Sequence, residues 1–209
     1  MNSLLATRAK FITLYCFAFL AGLAACESGP KLAPLASNAV VLAFGDSLTY
    51  GTGAAESDSY PAQLERLIGR KVISAGVPGE TSAQALARLP GELDEYAPRL
   101  LLLCTGGNDF LRRLGNAQAA RNVRAMVELA RSRGIDVLLL GTPEPSLVPS
   151  PPEFYAEIAE ELDVPYEGEI LSEVLRDSSL KSDPVHPNAR GYRLIAERIA
   201  ERLKQAGAI

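Results

Sequence analysis

The 209-residue chain contains no tryptophan, one histidine and three cysteines, and only 6% of it is aromatic. Each shortage closes off a class of function. One histidine leaves too few nitrogen ligands for a dinuclear metal site of the metallophosphatase kind. The lack of tryptophan speaks, weakly, against a stacking platform for sugars. The cysteines cannot build a disulfide framework. Cys16 and Cys26 lie near the N-terminus, and Cys104, in the apolar run LLLLC, reads as a small buried hydrophobe. Net charge is −4 and no basic run occurs, which argues against nucleic acid as a partner. The apolar stretch from Phe11 to Gly22 falls short of the roughly 20 residues a spanning helix needs.

That stretch reads instead as part of a secretory signal. Arg8 and Lys10 precede it, and it closes on Leu23-Ala24-Ala25-Cys26. A basic segment, an apolar segment and small residues form the export pattern. Cysteine directly after the small residues resembles the bacterial lipobox, which implies a lipidated Cys26 at the mature N-terminus. Glu27, where Asp would retain such a protein at the inner membrane, implies the periplasmic face of an outer membrane in a double-membraned host. A plain signal peptide with an incidental Cys26, and a periplasmic product, is the alternative. The expected organisation is a signal peptide over 1–25, a lipidated tether over 26–38 and one domain over 39–209. Loss of residues 1–25 removes Arg8 and Lys10 and no acid, so the net charge moves from −4 to −6. With no polybasic patch to assist, the anchor would rest on covalent lipid.

Within the domain, strand-like and helix-like segments alternate. AVVLAF (39–44), KVISAG (71–76), RLLLLC (99–104) and DVLLLG (136–141) are short apolar runs, and Val164-Pro165-Tyr166 is a weaker fifth. Between them, 61–69 has helical spacing with proline in its first turn. Residues 82–96 read as helical with a break near Pro90-Gly91. Val123, Met126, Val127 and Ala130 share one helical face. A further helix is expected near 153–162, and Tyr192, Ile195, Ala196, Ile199 and Leu203 share a face of the last one. Near-continuous apolar strands separated by helices imply a parallel sheet buried on both sides. The expectation is an α/β fold, a three-layer α/β/α sandwich whose five-stranded parallel sheet has the flavodoxin-like order 2-1-3-4-5. Its ligand crevice would lie between the C-terminal ends of strands 1 and 3.

The two loops bordering that crevice are FGDSLTYG (44–51) and TGGND (105–109). Ser47, after an apolar strand in a tight Gly-Asp turn, reads either as a nucleophile or as an ordinary turn residue. His186, in SDPVHPN, is the only imidazole available to serve as its base, and Asp183 lies three residues earlier, near enough to orient the ring. Asn188 reads as the N-cap of the last helix. Asn108 offers an amide donor toward the crevice, or caps a glycine turn. Gly79, in PGETS, exposes a backbone N–H with no side chain in the way, or marks a simple turn.

Taken together, four blocks in order resemble the SGNH (GDSL-type) hydrolase family: Gly45-Asp46-Ser47-Leu48, Gly79, Gly106-Gly107-Asn108-Asp109, and Asp183-Pro184-Val185-His186. The resemblance spans about residues 39–205. GVPGETSAQALARLP and LLLCTGGNDFLRRL are most similar to the bacterial thioesterase I, lysophospholipase and arylesterase branch. The resemblance implies a serine esterase acting on ester or thioester bonds of acyl substrates through an acyl-enzyme, with no cofactor and no metal. Ser47 would be the nucleophile, His186 the base and Asp183 the residue holding its tautomer. The Ser47 and Gly79 N–H groups and the Asn108 amide would form the oxyanion hole. Asp46 and Asp109 are expected to anchor their loops by accepting backbone hydrogen bonds. Pro184 stands where the family often has glycine, which implies a stiffer Asp–His loop.

Rival readings fare worse. An α/β-hydrolase elbow needs glycine two residues after the serine, and Thr49 stands there. A binding module on an inactive scaffold would be missing Ser, His or Asn, and all three are present. The segment FLRRL (110–114), with Leu147 and Val148, should border the crevice and meet an acyl chain, or else pack in the core. A carbohydrate O-acetyl esterase is the second enzymatic reading. Expected partners are a small acyl ester, thioester or lysophospholipid and, through the lipid, a membrane; the protein is expected to be a monomer.

Overall fold

A computed structural model describes residues 29–209. The signal peptide and Cys26 lie outside the described residues. Five strands, β1 (Val40–Gly45), β2 (Lys71–Gly76), β3 (Leu100–Cys104), β4 (Asp136–Leu140) and β5 (Tyr166–Glu167), form one sheet in the order β2-β1-β3-β4-β5. Every pairing is parallel.

Side chains alternate across the sheet with a period of two, and so build two cores. Val41, Ala43, Leu100 and Leu102 face one layer, made by α2 (Tyr60–Ile68), α7 (Ile170–Arg176) and α8 (Ala189–Gln205). Leu42, Phe44, Leu101 and Leu103 face the other, made by α3 (Ser82–Tyr96), α5 (Asn116–Ser132) and α6 (Phe154–Glu161). The central strands β1 and β3 are buried on both faces, as a parallel sheet between helices requires.

Two single-turn helices complete the set: α1 (Ser47–Tyr50) follows β1 and α4 (Gly107–Leu111) follows β3. Among the described residues no helix is long and apolar enough to cross a membrane.

Local chemistry sets the helix ends. Ser59 accepts from the Ala62 N–H to cap α2, which carries Pro61 in its first turn and ends at left-handed Gly69. Asn188 caps α8 by accepting from the N–H groups of Arg190 and Gly191, 3.0 and 3.1 Å away.

Three expectations need correction. Helix α3 does not break at Pro90-Gly91 but runs through Pro90 to Tyr96. An interior proline costs about 3 kcal/mol. Leu89 and Leu93 on either side are buried, and burial contributes about 1.5–3 kcal/mol each, enough to carry the helix across. The fifth strand starts at Tyr166 rather than Val164 and spans two residues. It sits at the sheet edge, where Pro165 has no N–H to lose from the ladder. Lastly, packing begins before residue 39. Leu32 and Leu35 are buried and their N–H groups donate to the carbonyls of Ala206 and Ala208, so the segment expected as tether is partly clamped to the C-terminus.

Candidate active site

The C-terminal ends of β1, β2 and β3 bring three loops together. Gly45 ends β1 so close to β3 that an added Cβ would fall 1.9 Å from the Cys104 carbonyl oxygen. Only glycine permits that approach. Asp46 follows as the N-cap of α1, accepting from the Leu48 N–H at 3.1 Å, and Ser47 is the first helical residue. Its side chain therefore emerges at the top of the sheet, half-buried, on a short and tightly held turn.

His186 meets it from the other end of the chain. The His186 Nε2 lies 3.0 Å from Ser47 Oγ, and Nδ1 lies 2.7 Å from Asp183 Oδ2. A carboxylate can only accept, so Nδ1 carries the proton and Nε2 presents its lone pair to the serine hydroxyl. The other Asp183 oxygen accepts from the N–H groups of Val185 and His186, both at 2.9 Å. Partial burial opposes ionisation of this carboxyl. The Val185 N–H and the His186 ring outweigh that and hold it below the usual carboxylate range. Pro184 leaves the Asp183–His186 pair at hydrogen-bonding distance.

The remaining loops face Ser47 from the side. Gly79, at φ +80°, sits in the left-handed region, which suits glycine. Asn108 lies in α4. Its Nδ2 donates to the Glu80 carbonyl at 3.0 Å and stands 3.4 Å from Asp46 Oδ2. Neither the Ser47 nor the Gly79 N–H has a backbone acceptor among the described residues. An amide nitrogen carries two hydrogens, and Asn108 gives one to the Glu80 carbonyl and the other, at the longer distance, to Asp46 Oδ2, so an oxyanion would have to draw on the weaker of the two bonds. The three expected donors thus lie on three segments, with Asn108 lining the same cleft as Ser47.

Beneath them is a layer of buried acids. Asp46 is pushed up to about 6, chiefly by burial, against the pull of the Leu48 N–H. Asp109 accepts from the Ser82 N–H and from Ser82 Oγ, each at 2.7 Å, and Asn122 donates to that same Oγ at 2.9 Å. Both aspartates accept backbone hydrogen bonds, as expected. The side-chain network around Ser82 was not expected. Cys104 is fully buried and its thiol is pushed far up by burial, which fits an inert packing role.

A cleft of about 200 Å³ opens over Ser47 and His186, with Leu111, Pro143, Pro145, Pro149, Leu175 and Val185 on its walls. Leu111 lines it as expected. Leu147 and Val148 do not: they stand in solvent, Leu147 completely so, at the tip of a proline-rich loop whose prolines make the contact instead. Arg88, Glu80 and Leu175 had gone unnoticed in the sequence. The local cues there were the helix capping box at Thr81–Gln84 and an Arg-Glu pair at i,i+4 spacing, Arg88–Glu92. Among the described residues no group of three or more His, Cys, Asp or Glu is placed to hold a metal ion.

Comparison with known proteins places the chain in a family. The model of the GDSL-like Lipase/Acylhydrolase family matches residues 43–194. Thioesterase 1/protease 1/lysophospholipase L1 of Escherichia coli (strain K12) is 31% identical over 172 residues, covering 78% of this chain and 83% of that protein. An arylesterase of Vibrio mimicus is 28% identical over 180 residues, covering 78% and 87% respectively. The crystal structure of TesA superposes with a TM-score of 0.72 at 29% identity, over 80% of this chain and 99% of that one. The chain belongs to the GDSL-like lipase/acylhydrolase family, and it is an ester-bond hydrolase of the SGNH type.

Proposed function

We propose that Ser47 is the nucleophile of a two-step acyl transfer in which His186 carries the proton. The observation that supports this most is the unbroken chain Asp183 Oδ2–His186 Nδ1, His186 Nε2–Ser47 Oγ, at 2.7 and 3.0 Å, on the floor of an apolar cleft. Ser47 Oγ attacks the carbonyl carbon of an ester or thioester as its proton passes to His186 Nε2. The resulting oxyanion is met by the Ser47 and Gly79 N–H groups and the Asn108 amide. The tetrahedral intermediate collapses when His186 gives that proton to the departing alkoxide or thiolate, leaving an acyl-serine. Water, deprotonated by His186, then releases the carboxylic acid and restores the serine. Asp183 keeps the ring in the working tautomer and stabilises the imidazolium.

The cleft walls are apolar and the site offers no aromatic platform. That favours aryl esters, acyl thioesters and lysophospholipids over acetylated sugars, the second reading. Ser47→Ala should lower kcat by about 10⁴–10⁶ with an unchanged circular dichroism spectrum. Activity within tenfold of wild type would remove Ser47 from this role. A chain-length series of p-nitrophenyl and CoA esters beside acetylated xylan ranks the substrates, with the apolar acyl esters expected to win.

We further propose that Cys26 is lipidated and holds a monomeric enzyme at the periplasmic face of an outer membrane. The basis is the sequence alone, Leu23-Ala24-Ala25-Cys26-Glu27 after a basic and then an apolar stretch. Metabolic labelling with an alkyne fatty acid should mark the wild type and not Cys26→Ser. An unlabelled wild type would reduce the segment to an ordinary export signal.

A further inference from the structure

Arg88 lies in the middle of α3, away from Ser47 in sequence, and touches none of the reacting groups. Its guanidinium nevertheless gathers the backbone on which the oxyanion donors stand. Nε and Nη2 form a two-pronged pair with the Glu80 carboxylate, at 2.8 and 2.7 Å. Nη2 also donates to the Ala75 carbonyl of β2 at 3.1 Å and approaches the Gly45 carbonyl of β1 at 3.5 Å. Nη1 donates to Glu92 at 2.8 Å, and the guanidinium carbon rests 4.2 Å from the centre of the Phe44 ring. Glu80 is buried, directly follows Gly79, and its own carbonyl accepts the Asn108 amide at 3.0 Å. One planar cation therefore bridges the strand end before Ser47, the strand end before the Gly79 loop, and the residue joining Gly79 to Asn108.

From this arrangement we infer that Arg88 and Glu80 form a positioning clamp for the oxyanion hole, acting on the reaction through Gly79 and Asn108. The inference rests on the serine mechanism proposed above. Its physical ground is that oxyanion donors act only when held about 2.7–3.1 Å from the developing charge. Donors carried by separate loops need something rigid between them. A bidentate arginine–carboxylate pair, its fork flat against an aromatic ring, fixes both distance and angle. Lysine cannot reproduce it, because its ammonium lacks the planar fork that holds both carboxylate oxygens side by side and reaches the carbonyls beyond them.

The test is a cycle of variants assayed for kcat, KM and inhibition by an alkyl boronic acid, whose tetrahedral adduct on serine mimics the intermediate. Arg88→Met keeps the aliphatic stem over Phe44 and should lower kcat about 10–100-fold with KM within about twofold, weakening the boronate in proportion. Asn108→Ala should cost about 10²–10³. Because both act through one set of donors, the double variant should lose less than about threefold beyond Asn108→Ala alone.

A purely structural role is separated by stability. Arg88→Met strands a buried carboxylate, so Arg88→Met/Glu80→Gln should regain most of the lost melting temperature while kcat stays low. Arg88→Lys should rescue the fold better than the rate. If Arg88→Met does not fold, the same cycle run with Glu80→Gln reads the clamp from its other half. Losses that multiply in the double variant, or a rate that returns with stability, would overturn the clamp. Failure of the mechanism itself looks different: an active Ser47→Ala.

Discussion

Two aspartates flank Ser47, and their surroundings push them in opposite directions. Asp183 stands on the loop 182–188 with its side chain 44% exposed, and its carboxyl is held below the usual range. Asp46 is buried next to Ser47 and pushed up to about 6. The first belongs to a self-contained turn. Asp183 accepts from Val185 and His186 N–H groups, Ser182 donates to the His186 carbonyl at 3.0 Å, and Asn188 ties the loop to Ser179 and Lys181. The second belongs to a non-local scaffold in which β1, α3 and α4 are joined by buried carboxylates. On the mechanism proposed above, the proton-handling arm is therefore built locally and near solvent, where protons and leaving groups pass. The proposed oxyanion arm is built from distant segments and rests on the buried carboxylates of Asp46, Glu80 and Asp109, where electrostatic contacts act most strongly.

That division can be broken at several points. The largest effect should come from the local arm. His186→Gln should reduce kcat by about 10⁴–10⁶ while leaving the melting temperature within a few degrees, because the loop's backbone bonds do not use the ring. A large loss of stability would show that the loop is not self-contained.

Asp109→Ala tests the other arm. It leaves the Ser82 N–H and hydroxyl without their acceptor in the core, and should cost about 3 kcal/mol of stability in urea unfolding. Its rate effect should enter through kcat. A cost below about 1 kcal/mol would mean that water or a rotamer change replaces the carboxylate.

The opposed titrations sharpen the contrast further. Asp46 has a folded pKa of about 6 against an ordinary 3.8, so the folded state holds its proton more tightly. Stability from this group is fully present below about 3.8 and declines as pH rises through about 6, and by pH 7 the loss amounts to about 3 kcal/mol. Asp183 runs the other way: its contribution is present above the unfolded value and fades as pH falls through its lowered folded one. Asp46→Asn should flatten the decline between pH 4 and 6, as measured by urea midpoints. An unchanged slope would place the proton elsewhere.

How much of this was legible in the sequence follows the same line between local and non-local. The near-continuous apolar strands, the capped helices and the order of the sheet could be read because each depends on neighbours in sequence or on general rules of parallel packing. The Asp183–His186 spacing and the Gly-Asp turn before Ser47 were local too. The Arg88–Glu80 pair was not. An arginine on a helical segment and a glutamate eight residues earlier in the preceding loop look like any solvated pair, and only the fold brings Ala75 and Gly45 to them. Glu167 is the same case: it lies just past the expected fifth strand with no local signal of its own, yet it is buried, accepts from the Ile170 N–H to start α7, and pairs with Arg198 and Arg202. The helix it starts went unread with it. Leu147 and Val148 erred in the opposite sense, since apolar residues in a proline-rich loop gain nothing from burial when the prolines already fill the wall.

The central claim is that one serine, addressed by both arms, forms the covalent intermediate. The most direct measurement is peptide mapping by mass spectrometry after stoichiometric inactivation with a fluorophosphonate. A single phosphonyl adduct on Ser47 is expected, formed in step with the loss of activity and absent from Ser47→Ala. Complete inactivation with the adduct on another residue, or an Asn108→Ala variant labelled as fast as wild type, would contradict it.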